Sequence, residues 1–168
     1  YAVQIVGITE IQLGFLFSLN GLLVAVAQVP VTRFLSKVKL TSQLIIGSII
    51  YAIGYSMMGL VSSFLLFMIP IIVVTIGEVT MSPPSLALAS RMAPKGRMGR
   101  YMGIYGFVTA AGWSFGPLYG GIILDHLAHD TPFLAWVAIS SLALLPALGY
   151  YLFQRKLNEM IDRPGPNR

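Results

Sequence analysis

Apolar residues in this chain come in long runs that charged residues rarely interrupt. Stretches without Asp, Glu, Lys or Arg cover residues 11–32, 40–77, 79–90, 101–124 and 131–154. A helix needs ~20 predominantly apolar residues to cross a bilayer core of ~30 Å. Three of these stretches fit one crossing each, and the segment 40–90, whose only charge is Glu78, fits two. The pattern predicts an all-α integral membrane fold with transmembrane helices over 11–32, 42–61, 64–89, 101–124 and 132–153, followed by a tail over 154–168. Local signals agree with these bounds. Thr9 and Gln12 have capping-box spacing at the start of the first helix. Thr131 followed by Pro132 reads as an N-cap with proline at the first helical position. Pro94 and Gly96 break the chain between the third and fourth helices, and Pro164 and Pro166 end any helical continuation of the tail.

Composition narrows the class. Hydrophobic residues make up 56% of the 168 positions and charged residues 10%, against ~25% charged in a soluble domain. A soluble enzyme, a nucleic-acid-binding domain and a disordered tail are excluded. The 11 Lys and Arg residues fall in three clusters: Arg33, Lys37 and Lys39; Arg91, Lys95, Arg97 and Arg100; and Arg155, Lys156, Arg163 and Arg168. The predicted topology places all three after odd-numbered helices, on one side of the membrane. By the positive-inside rule that side and the C-terminus are cytoplasmic, which fits a plasma (inner) membrane protein touching anionic headgroups. An outside start and an inside finish over five helices predict a further segment before Tyr1, with residues 1–10 the end of an earlier helix or its loop. The absence of cysteine removes disulfides, thiolate metal sites and cysteine nucleophiles.

Polar residues inside the spans sort onto faces. Gly14, Ser18, Gly21, Ala25 and Gln28 form one stripe of the first helix, where small residues let another helix approach. Gly47, Tyr51, Gly54 and Met58 give the second helix a similar stripe. In the third helix Thr75, Glu78, Ser82 and Ser85 share a face, beside Pro83 and Pro84, which remove backbone donors and form a candidate hinge. Glu78 is the one acid at membrane depth. A charge near the helix centre costs ~2.5–3.5 kcal/mol on insertion scales, so an intramembrane carboxylate points to function. Leaving water disfavours its ionised form, and a carboxyl that loads and unloads a proton is what proton-coupled transport requires. Trp136, Tyr150 and Tyr151 in the fifth helix read as interfacial anchors. The loop Asp125-His126-Leu127-Ala128-His129-Asp130 has two histidines that a metal could use, but its composition is that of an ordinary acidic outside turn, and no metal or cofactor is expected.

The fourth helix contains Gly112-Trp113-Ser114-Phe115-Gly116-Pro117-Leu118-Tyr119-Gly120-Gly121. This string resembles the antiporter motif of the major facilitator superfamily. Gly77-Glu78 through Ser82-Pro83, Ala93-Pro94 and Gly99-Arg100-Tyr101-Met102-Gly103 resemble the run spanning the tenth and eleventh helices of its drug-efflux members. The resemblance covers nearly the whole chain and implies helices eight to twelve, an incomplete C-terminal half of a twelve-helix fold. Assignment to helices two to six fits less well. The turn from Pro30 to Lys39 lacks the Asp and Gly expected after a second helix, and Gly77-Glu78 stands where a fourth helix would carry an intramembrane Arg.

The resemblance further implies that the Glu78 helix lines a central cavity, that helices 11–32 and 101–124 meet the N-terminal half, and that helices 42–61 and 132–153 face lipid. It makes Asn20, Met81, Ser82, Tyr105, Thr109, Trp113 and Tyr119 candidates for the substrate wall. Aromatic and methionine side chains suit apolar or cationic molecules. Gly112, Gly116, Pro117, Gly120 and Gly121 become a packing and conformational motif. Asp125, from its place at the end of the fourth helix, is a candidate gating partner for the other half. The expected activity is proton-coupled export of small hydrophobic or cationic compounds by alternating access, with the small-molecule substrate, protons, the bilayer and the N-terminal half as partners and no nucleic acid. Proton-coupled uptake of a small solute such as a peptide is the alternative, because peptide transporters of the superfamily show a similar Gly-Glu and Ser-Pro arrangement. A non-transporting membrane scaffold is a further one. No nucleophile and base pair lies at membrane depth, so no enzymatic activity is expected.

Overall fold

The computed structural model describes residues 1–157 and 161–162. Pro164, Pro166, Arg163 and Arg168, read above as tail features, lie outside the described residues. The chain runs α1 (Glu10–Phe34), a 3-10 turn (Leu35–Lys37), α2 (Leu40–Met58), α3 (Phe64–Met92), α4 (Met98–Leu127), α5 (Pro132–Ser141) and α6 (Leu144–Gln154). With α5 and α6 taken as one, five spans are long and apolar enough to cross a membrane. The capping box forms: the Thr9 hydroxyl accepts from the Gln12 backbone N–H at 3.2 Å, and the Gln12 amide oxygen accepts from the Thr9 N–H at 2.9 Å.

The fifth span is not one continuous helix. It breaks at Leu142 and Ala143, where tighter bonds take over, such as Ala143 N–H to Ser140 O at 2.9 Å. Pro146 lies four residues beyond Leu142, so it has no N–H to give the Leu142 carbonyl and its ring crowds that oxygen. The third span behaves differently. Pro70, Pro83 and Pro84 all sit inside α3, which remains helical through to Met92.

The closest packing joins α2 to α3. A methyl on Gly77 would stand 2.9 Å from the Tyr51 backbone nitrogen and 3.1 Å from Gly47 O, and one on Gly54 would stand 2.8 Å from the Val74 nitrogen. Glycine therefore lets the two backbones approach where packing, not hydrophobic drive, must hold helices together. The 42–61 region, expected to face lipid, is exposed along one edge only. Ile46, Ile49 and Ile53 are exposed, while Leu44, Thr41 and Ser48 are sealed inside, and α2 is flanked by α3, α5 and α6.

α1 lies against α3, and α4 against α5 with a lighter contact to α3. These two helices are the least covered: α1 buries only Leu16 and α4 buries no residue. At one end of the bundle Trp136 stacks on Tyr55 at 6.0 Å and meets the edge of Tyr1 at 5.4 Å. At the other, Ile161 and Leu157 pack on Leu40, Leu44 and Leu88. There Asp162 reaches the start of α2, whose own N-cap residue, Lys39, makes no capping bond.

Candidate functional site

The polar face predicted for α3 forms and is contacted from both sides. From α1, the Asn20 carboxamide nitrogen lies 2.8 Å from Thr75 Oγ1 and 3.3 Å from Glu78 Oε2. From α4, the Tyr105 hydroxyl lies 2.9 Å from Ser85 Oγ, two turns along the same face. Ser82, between these contacts, is exposed, and Glu78 is half-buried. Thr75 is sealed, and its hydroxyl donates to Ile71 O at 2.7 Å. Threonine in a helix commonly satisfies its hydroxyl this way, four residues back.

The site is therefore a line of hydroxyl, carboxylate and hydroxyl groups along α3, with a carboxamide from α1 and a phenol from α4. Such a line offers donors and acceptors to a polar group on a small molecule. The carboxylate has a protein donor, which an acid at membrane depth requires.

The remaining predicted site residues divide. Met81 turns toward α2, where its Cβ lies 2.8 Å from the position a Gly47 methyl would take, and it packs with the Leu40–Leu44–Leu88 cluster. Its immediate role is helix packing, away from the line of polar groups. Tyr119 points to α5, its hydroxyl donating to Ala138 O at 3.3 Å. Thr109 is exposed on α4 and donates to Tyr105 O at 2.8 Å, while Trp113 is 78% exposed.

Nothing lies within 4 Å of a methyl built on Gly112, Gly116, Gly120 or Gly121, and the same holds for Gly14 and Gly21 of α1. Both small-residue stripes are open, in contrast to the closed stripe of α2. Pro117 lies inside the continuous α4, and Pro83 and Pro84 inside α3, so no unwound segment occurs beside Glu78. His126, in the last turn of α4, lies 2.8 Å from Ile122 O through Nδ1.

Sequence reasoning placed Thr75 on the Glu78 face but assigned it no role, and it saw no tie between Asn20 and Glu78. A carboxamide in one span and a carboxylate in another was the available signal, since each needs a partner in lipid.

The Major Facilitator Superfamily model matches residues 1–167. The chain belongs to this superfamily. Among curated relatives, the uncharacterized MFS-type transporter YttB of Bacillus subtilis is 30% identical over 150 residues, covering 88% of this chain and 38% of that protein. The uncharacterized MFS-type transporter MJ1560 of Methanocaldococcus jannaschii is 31% identical over 130 residues, covering 77% of this chain and 34% of that protein. This superfamily member thus spans well under half the length of the relatives it matches. No solved structure matches the chain. Membership in the superfamily and five apolar spans make it an integral membrane protein.

Proposed function

We propose that the chain forms the C-terminal half of a secondary transporter that exports small hydrophobic or cationic compounds in exchange for protons, by rocking of two halves about a midplane cavity. The observation that carries this reading is Glu78. It is the one acid deep within a span, half-buried, and held on a polar face that α1 and α4 flank. Glu78 is the coupling residue. Asn20, Ser82, Tyr105, Thr109 and Trp113 border the cavity, where the exposed indole of Trp113 offers a cation–π surface. Met81 and Tyr119 reach the cavity only if their present packing contacts open.

The open ridges of α1 and α4 support a meeting with the N-terminal half. Gly112, Gly116, Gly120 and Gly121, with Pro117 among them, admit a close helix there. Pro83 and Pro84 leave the Val79 and Thr80 carbonyls without their helical donors, which suits a hinge beside the coupling acid. The basic clusters favour a plasma (inner) membrane orientation with a cytoplasmic C-terminus.

The test is the Glu78→Gln variant of the complete gene product in proteoliposomes. Transport driven by a pH gradient is expected to cease while substrate binding persists. Unchanged gradient-driven transport would remove Glu78 from the mechanism. Proton-driven uptake, supported by the Gly77-Glu78 and Ser82-Pro83 arrangement, is separated by the direction of substrate flux under an imposed gradient. A scaffold would show no substrate-dependent proton flux in either direction.

A further inference from the structure

We infer that Asn20 is a positioning residue for Glu78: its carboxamide presents a fixed N–H donor to the carboxylate and so ties the charge state of Glu78 to the contact between α1 and α3. This deepens the reading of Glu78 as the coupling acid and rests on it for its functional meaning.

The single hydroxyl hydrogen of Thr75 is committed to Ile71 O, at 2.7 Å. Toward α1, Thr75 Oγ1 can therefore only accept. Asn20 lies 2.8 Å away and must turn its NH2 side, not its carbonyl oxygen, toward α3. The orientation of a carboxamide is assigned from its hydrogen-bond network, and here Thr75 decides it. Because the NH2 group carries two hydrogens, the second is directed at Glu78 Oε2, at 3.3 Å. Asn20 thus meets Glu78 as a donor.

A donor discriminates between the two states of a carboxyl. An ionised carboxylate accepts a charge-assisted bond that is shorter and roughly twice as strong as a neutral one. A protonated carboxyl accepts more weakly and carries a hydrogen of its own that Asn20 Nδ2 cannot accept. The α1–α3 contact accordingly tightens when Glu78 is ionised and loosens when it is protonated. Among the groups on the packed elements, α2 brings Tyr51, which feels the Glu78 charge but whose hydroxyl contact is with Tyr55, at 3.3 Å. α4 brings Tyr105, engaged with Ser85 two turns away. No Lys, Arg or His lies deep within these spans. The same arrangement makes Thr75 a second positioning residue, since without its acceptor the carboxamide is free to turn.

The experiment is pH-titrated infrared difference spectroscopy on the complete gene product in lipid. The Glu78 carboxyl band is assigned by its disappearance in Glu78→Gln. Asn20→Leu is expected to move that band relative to the native protein, and Thr75→Val, which preserves shape and removes the acceptor, to move it in the same direction. A band that stays in place in Asn20→Leu overturns the inference, whether or not transport depends on Glu78. If Asn20→Leu does not fold, Thr75→Val decides by the same criterion. A band that moves while Glu78→Gln still transports normally leaves the positioning contact standing and removes the coupling role. In a companion measurement, spin labels on α1 and α3 report a separation that changes with pH in the native protein. That change is expected to vanish in Asn20→Leu, and its persistence there overturns the link to helix spacing.

Discussion

Asp162 and Thr41, 121 positions apart in the chain, are joined by two hydrogen bonds: Asp162 Oδ1 accepts the Thr41 backbone N–H at 2.8 Å, and Oδ2 accepts the Thr41 hydroxyl at 2.6 Å. The carboxylate occupies the place of the missing N-cap of α2 and complements the positive end of that helix. Arg91 at the end of α3 donates to the neighbouring Ile161 carbonyl at 3.2 Å, so the segment spans the ends of two helices. Asp162→Ala is expected to destabilise the bundle by about 2 kcal/mol, the cost of an N-cap loss at a buried position. Thr41→Val, which keeps the N–H bond, is expected to cost about half as much. Tryptophan fluorescence melts in detergent check both, and an unchanged midpoint for Asp162→Ala would show that this cap adds nothing.

Gly77 of α3 and Gly116 of α4 have different surroundings, which leads to opposite expectations. Gly77→Ala places a methyl 2.9 Å from the Tyr51 nitrogen, a backbone atom that moves only if α2 moves. The expected loss is about 1–3 kcal/mol, as in other overpacked interiors. Gly116→Ala meets nothing within 4 Å, and alanine is the better helix former, so the stability of this chain on its own should hold or rise. Transport by the complete protein is nevertheless expected to fall if that ridge meets the other half. Thermal stability and vesicle transport, measured on both variants, separate packing within the chain from packing outside it.

That contrast marks how far the sequence could be read. Spacing of charges located the five spans, because the cost of a charge in lipid leaves few alternatives. The Thr75–Glu78–Ser82–Ser85 face was also legible, from helical periodicity alone. Which helix each face meets was not, since periodicity carries no information about the rotation of one helix against another. Gly47 and Gly14 look alike in sequence, yet one is filled by Met81 and the other is open. The Asp162 cap was illegible because its partner is remote and the tail reads as a plain charged end. The break at Leu142 was visible in principle through Pro146, but prolines inside α3 and α4 show that a proline alone does not decide whether a membrane helix breaks.

The Ser85–Tyr105 bond is the polar link between α3 and α4 on the Glu78 face. Tyr105→Phe removes it and leaves the Ser85 hydroxyl bonded to Ser82 O at 2.8 Å, so no buried donor is stranded. The loss should be modest, about 0.5–1.5 kcal/mol. Ser85→Ala should cost a similar amount, and the double variant little more than either one, because both remove the same bond. A strictly additive double-mutant cycle in thermal melts would show that the two hydroxyls do not interact.

Pro146 offers a final test of what sets the geometry of the fifth span. Pro146→Ala restores an N–H that can reach the Leu142 carbonyl and removes the ring that crowds it. If the proline causes the break, the α5 and α6 segments should merge into one helix, and amides around Leu142 to Ala147 should exchange more slowly with deuterated solvent. Competing with that outcome is the packing on α2, where the Ser140 hydroxyl lies 2.7 Å from that of Ser56 and Ala147 is buried. A straightened helix cannot keep both contacts without shifting its rotation. Slower exchange together with lost stability would mean that the break serves the packing of α5 and α6 on α2, and slower exchange with a gain would mean that the proline alone imposes it. Unchanged exchange would assign the break to packing, with Pro146 merely tolerated there.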